Sequence, residues 1–170
     1  MSEARTFEPR PSRGWLWLLL VGALVVLPIL FLQLRAGEEI PLWAALLNWG
    51  IALLVGLPMF MLAAWFPTMR YRLDDEALHL RYGPVLDYRI TLEEIQSVRR
   101  RDLHISLWSS LRLPGLALFK VPYADVGVVK MCATTAARRV LLIETQDELY
   151  GLSPADEEAL VTALKARLEA

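Results

Sequence analysis

"LYGLSPADEEALVTALKARL", residues 149–168, changes character in its middle. Leu149 to Leu152 read as the last residues of a strand. Ser153 is then an N-cap candidate, Pro154 suits a first helical position, and Asp156 completes a variant of the capping box. Glu157 and Glu158 fall at the positive end of the helix dipole, Lys165 and Arg167 at the negative end. Leu160, Val161, Leu164 and Leu168 follow at helical spacing as one apolar stripe, which requires a surface to bury against. A single amphipathic helix that ends a β-region must find that surface on a sheet.

Working back, the period of two supplies the sheet. Met69, Tyr71 and Leu73 alternate with Arg70 and Arg72, and Leu78, Leu80 and Tyr82 alternate with His79 and Arg81, the pattern of half-buried strands. "DDEA" at 74–77 and "GPV" at 83–85 supply turns, so Leu86, Tyr88 and Ile90 become the third strand of an antiparallel meander. "TLEEI" at 91–95 marks one short helical turn before an extended run over 96–103. Further strands are expected over 116–121, 126–133, 140–145 and 149–152, which makes seven or eight. "VLLIET" at 140–145 lacks alternation and suits a strand covered on both faces.

Toward the N-terminus the composition turns oily. Hydrophobic residues make up 55% of the chain, more than an ordinary soluble domain carries. The excess is local. Residues 14–34 hold no charge over a length of about 30 Å, and residues 40–66 are likewise uncharged, so each matches one bilayer core. "RAGEE" at 35–39 is short enough to force an antiparallel hairpin. The first apolar run exceeds a signal-peptide core and lacks an A-x-A-like site, so cleavage is not expected. Arg5, Arg10 and Arg13 precede the pair and Arg70 and Arg72 follow it, against Arg35 in the connector, which predicts that both termini are cytoplasmic. Asn48, inside the second span, is expected to pack helix against helix.

The expected organisation is therefore a cytosolic tail over 1–13, a transmembrane hairpin over 14–66 and a cytosolic β-domain over 68–170. Residues 68–170 hold 14 Lys/Arg against 15 Asp/Glu, which gives no pull toward nucleic acid. Cys132, the single cysteine, cannot form an internal disulfide.

"YRLDDEALHLRYG" at 71–83, "ITLEEI" at 90–95, "ATTAARRVLLIET" at 133–145 and "YGLSPADEEALVTAL" at 150–164 resemble the bacterial PH-like membrane proteins, the group that includes the sublancin immunity protein. The resemblance covers about residues 68–170, and a hydrophobic pair ahead of the domain also fits that group. It implies a mainly-β PH-like barrel of seven or eight antiparallel strands with a C-terminal capping α-helix. It also implies a non-enzymatic binding module, in the bacterial inner membrane, that binds or regulates a membrane or envelope protein or peptide, with immunity-type protection as one such role. The chain departs from the pattern at "LPGLALFKVPYADVG", residues 113–127, where a glycine-rich stretch is expected.

No catalytic, cofactor or metal constellation is legible. There are two histidines and no G-x-S-x-G, H-E-x-x-H or phosphate-binding glycine loop. His79 and His104 read as surface residues, and the acidic runs at 74–76 and 156–158 as a turn and a helix start. The most suggestive stretch is 99–120, which sets Arg99, Arg100, Arg101, Arg112 and Lys120 beside Trp108 and several aliphatics. These six form the candidate membrane- or partner-binding loop. One alternative is a sensor of anionic lipid headgroups; another is an accessory subunit of a transporter or membrane enzyme. The apolar residues of the loop can equally complete the core while its charges stay in water.

Overall fold

A computed structural model describes residues 4–36, 40–104 and 112–168. The chain divides into two compact units. One joins the N-terminal segment through Gly14 to everything from Pro67 onward; the other is the apolar stretch from Trp15 to Phe66.

In the apolar unit, α1 (Gly14–Ala36) is followed by one continuous helical run made of α2 (Leu42–Ile51), a π-helical turn (Ala52–Gly56) and α3 (Leu57–Trp65). Pro58 has no N–H to donate back along the helix, and the widened turn directly before it accommodates that gap. Glycines let the two helical runs approach. A Cβ on Gly56 would lie 2.4 Å from Val26 Cγ2, and one on Gly22 would lie 3.1 Å from the Phe60 ring. Most large side chains face outward, among them Leu24 at 73% and Leu54 at 79% exposure. Both helical runs are long and apolar enough to cross a membrane.

The other unit carries ten strands among the described residues, in two sheets. The first contains β1 (Arg5–Phe7), β2 (Arg70–Leu73), β3 (Ala77–Tyr82) and β4 (Leu86–Thr91), in that order. The expected meander is present: Tyr71 lies opposite Leu80, and Leu80 opposite Tyr88. Its first turn is closed by Asp74 Oδ1, which accepts the N–H groups of Glu76 at 3.0 Å and Ala77 at 2.7 Å. The second uses Gly83 at φ 51°, a conformation open to glycine. A short 3-10 turn over Leu92–Glu94 then leads to the second sheet.

That sheet holds β5 (Ile95–Arg101), β6 (Arg112–Leu113), β7 (Leu116–Tyr123), β8 (Gly127–Ala133), β9 (Val140–Thr145) and β10 (Leu149–Leu152), in the order β5-β9-β10-β8-β7-β6. Two features correct the expected barrel of seven or eight antiparallel strands. The two sheets do not close into a barrel, and β10 runs parallel to β8. The connection after β8 steps over one strand position, and β10 returns into the gap beside β9. Three bonds hold that connection: Tyr123 OH donates to Ala136 O at 2.5 Å, Leu103 N–H to Ala137 O at 2.7 Å, and Arg139 N–H to Asp102 Oδ1 at 2.6 Å. The added strands, β1 and β6, are three and two residues long, too short for alternation to show.

Both faces of the six-stranded sheet are covered. Val129, Met131, Val140 and Leu142 belong to one buried cluster with Leu103, Val121 and Tyr123. Leu141, Ile143 and Leu152 on the opposite parity are also buried, as the unbroken "VLLI" run requires. The C-terminal helix α4 (Glu157–Leu168) buries Leu160, Ala163 and Leu164, whereas Leu168 is 44% exposed. Its cap is Asp156, whose Oδ1 accepts Ala159 N–H at 2.9 Å. Ser153 is not the cap: its Oγ is buried and accepts Thr134 N–H at 2.7 Å.

Replacing Leu164 by Asp places a carboxylate at a position only 1% exposed, where an unpaired charge costs several kcal/mol. Thermal unfolding of the detergent-solubilised chain is expected to show a collapsed or absent β-domain transition. Glu158→Lys, on the exposed side of the same helix, is expected to cost only about 0.3–1 kcal/mol. Equal shifts for the two variants would rule out α4 as a packed lid on the sheets.

Candidate functional site

The turn between β7 and β8 is centred on Asp125, and antiparallel pairing around it sets Lys120 directly opposite Lys130. Two ammonium groups facing each other across a ladder repel, so an acid must sit near them. Glu148, in the β9–β10 turn, is that acid. Its Oε2 accepts a bond from Lys130 Nζ, and from Tyr150 OH at 2.7 Å. Lys130 Nζ also lies 5.5 Å from the Tyr88 ring centroid and 5.4 Å from that of Tyr150, a cation–π arrangement. The two rings meet edge to face at 5.8 Å, so this cluster joins β4 of the first sheet to β8 and β10 of the second.

Because β8 and β10 are parallel, the turns ahead of them lie at the same end of the sheet. Between these turns opens a trough of about 560 Å³, walled by Lys120 and Lys130 on one side and Gln146, Asp147 and Glu148 on the other. Val126, Val128 and Leu149 supply apolar surface; Val128 is 55% exposed. An adjoining hollow of about 230 Å³ shares Val126, Glu144 and Leu149 with it and adds Ser97, Arg99 and Arg101.

The candidate loop residues are thus divided by strand geometry. Arg99 and Arg101 share one face of β5 and line the hollow, while Arg100 points to the other face. Each has an acidic partner: Arg99 lies 3.6 Å from Glu144, Arg101 3.5 Å from Asp125, and Arg100 Nε donates to Glu157 Oε1 at 2.6 Å. The Glu157 bond and charge hold the Arg100 guanidinium above its ordinary pKa. Lys120 lines the trough. Arg112 enters β6 opposite Ala117, and Trp108 lies outside the described residues. His104 is exposed, and His79 Nε2 turns onto Asp74 Oδ2 at 3.1 Å.

Sequence reasoning missed Lys130, Glu148, Tyr88 and Tyr150. A signal for Lys130 was present, since it and Lys120 stand equally far from Asp125 at the hairpin tip. Glu148 stands in the short turn between β9 and β10, and the parallel pairing of β10 with β8, which sets Tyr150 opposite Lys130, brings it over that lysine. Cys132 is fully buried, and burial pushes its thiol far above the range in which it would ionise.

Glu148 also yields a pH test. The Lys130 bond, followed by the Tyr150 bond, holds its carboxyl below the usual 4.5. A depressed native pKa contributes stability that is complete above the unfolded value and is lost as pH falls through the native one. Glu148→Gln is therefore expected to lower the unfolding free energy at pH 7, by less than about 1 kcal/mol for so accessible a pair. The difference from the parent should vanish at acid pH. A difference as large at pH 3 as at pH 7 would mean the charge contributes nothing.

No curated protein and no solved structure matches the chain. A family described as the bacterial PH domain matches residues 69–168, which takes in β2 to β10 and α4, including the trough between the two turns. With more than half its length matched, the chain belongs to the bacterial PH domain family.

Proposed function

We propose that this protein is a non-enzymatic binding module, held at the bacterial cytoplasmic membrane by its two apolar helices, whose trough takes up a peptide segment of a membrane or envelope protein. PH-type domains are in general binding modules rather than catalysts. One observation carries the anchoring part: β1, ahead of the helices, pairs with β2, which follows them. A polypeptide whose two flanks fold into one unit must enter and leave the bilayer on the same side, so the hairpin crosses twice. The basic residues on those flanks, Arg5, Arg10, Arg13, Arg70 and Arg72, favour the cytoplasmic side. Immunity-type protection, in which the partner is a toxin or its envelope target, is a role of this kind.

The trough supports a peptide rather than an anionic headgroup. Its bases are matched by Glu144, Asp147 and Glu148, and Arg99, Arg100 and Arg101 are already engaged with carboxylates on two faces of the strand. Apolar surface flanked by both signs of charge suits a mixed polypeptide segment.

A cysteine placed in the connector at residue 37 is expected to react with an impermeant reagent on intact cells, while Lys165→Cys is expected to be protected until the membrane is opened. Labelling of Lys165→Cys from outside would reverse the orientation. For the site, a photo-crosslinker at Val128, in the trough, is expected to give a discrete adduct in native membranes that Lys130→Glu abolishes. The same crosslinker at Val85, exposed in the β3–β4 turn, is expected to give none. Identical adducts at both positions would remove the trough from consideration.

A further inference from the structure

The N-terminal segment lies outside the matched residues 69–168. Its strand β1 is a three-residue edge strand that, among the described residues, pairs with β2 alone, Thr6 lying opposite Arg72. Arg5 and Thr6 are exposed, Phe7 is half-buried, and no residue from 4 to 13 is fully buried. Beyond the strand, Ala155 N–H donates to Glu8 O at 2.9 Å and Arg10 N–H donates to Ser153 O at 2.7 Å, with Pro9 and Pro154 forming an antiparallel bridge between them. The Arg10 guanidinium then lies 3.9 Å from the carboxylate of Glu157, whose side chain is only 11% exposed. Main-chain bonds and one ion pair hold this segment, with only the partly buried Phe7 and Pro9 adding apolar contact.

That is the chemistry by which a sheet edge accepts an extended peptide: main-chain pairing for affinity, and a side-chain contact at a fixed position for specificity. A three-residue edge strand with no fully buried side chain belongs to the less stable part of a fold. Removing it would uncover an open edge on β2 and leave one acceptor, Ser153 O, and one donor, Ala155 N–H, without their partners.

We propose that the β2 edge together with residues 153–157 is a peptide-docking site for an extended segment carrying an arginine that reaches Glu157, and that residues 5–10 occupy it in cis. A partner peptide engages the domain by displacing this strap. The strap continues through Ser12, whose Oγ donates to Gly115 O at 2.5 Å, to Gly14, where α1 begins. Arg100 Nε donates to the Glu157 carboxylate from β5, at 2.6 Å. This site is separate from the trough, and crosslinking at Val128 tests the trough alone.

The test uses the full chain in detergent and a labelled synthetic peptide of residues 4–13 as the probe. In a variant with residues 5–10 replaced by glycine and serine, the peptide is expected to bind and to restore hydrogen-exchange protection to the β2 amides. Binding to the parent should be weaker by at least about tenfold, because an intramolecular occupant competes. Arg10→Glu in the peptide should weaken binding by about tenfold or more, the loss of a charge-assisted contact. Should the replaced variant fail to fold, Thr6→Cys with Arg72→Cys serves instead: the reduced chain takes up the peptide and the disulfide-locked chain does not. A folded replaced variant that ignores the peptide overturns the proposal, as do reduced and locked chains that respond alike.

Discussion

The hydroxyl of Tyr71 is where the β-domain is tied together. It is fully buried, donates to Cys132 O on β8 at 2.8 Å and accepts Ser153 N–H, at the end of β10, at 3.3 Å. Burial pushes its phenol well above the ordinary range, so it stays a neutral donor. One side chain on β2 thereby links the first sheet, the second sheet and the start of α4. Ser153 extends the link, with its Oγ accepting Thr134 N–H and meeting Thr134 Oγ1 at 2.9 Å. A buried polar group left unpaired costs about 1–3 kcal/mol. Each member of this chain satisfies another, and the arrangement of sheets that allows it is selected over those that would strand a hydroxyl in the core.

The same residues explain how the N-terminal segment finds its place. With Ser153 Oγ and N–H both engaged inward, its carbonyl is left facing the strap, where Arg10 N–H reaches it. Glu157, at the first turn of α4, then collects Arg10 from the strap and Arg100 from β5. Acidic charge at a helix start is favoured by the dipole, and here it also joins three segments distant in sequence. The helix is tied at its far end as well, where Arg167 contacts Asp75 in the β2–β3 turn.

At the opposite end of the sheet, the parallel step from β8 to β10 sets the geometry of the candidate site. In a sequential antiparallel meander the Asp125 hairpin and the Glu148 turn would also share one end, but β9 would stand between β8 and β10 and hold Lys130 away from Tyr150. The parallel pair puts them side by side, and the trough with its Lys120, Lys130 and Glu148 walls follows. The trough mixes both signs of charge, as does the domain around it, with 14 bases and 15 acids between residues 68 and 170.

Sequence alone determined what depends on neighbours along the chain. The alternation of Tyr71, Leu73, Leu78 and Leu80, the Asp74 turn, the buried run Val140 to Ile143, the Leu160 and Leu164 part of the helix stripe and two long apolar helical runs are all present, because strand, turn and helix periods are set within a few residues. Ser153 shows the limit: its local context is that of a helix cap, yet a buried N–H on Thr134 takes it, and Asp156 caps the helix three residues later. The basic run 99–101 reads as one patch in a line of text, but the pleat sends its middle arginine to the opposite face. β1 carries no pattern of its own and becomes a strand only because β2 offers it an open edge. Which strands are neighbours, which carboxylate meets which base and which end of the sheet opens were decided in the tertiary structure, where buried polar groups must find partners that no local spacing names.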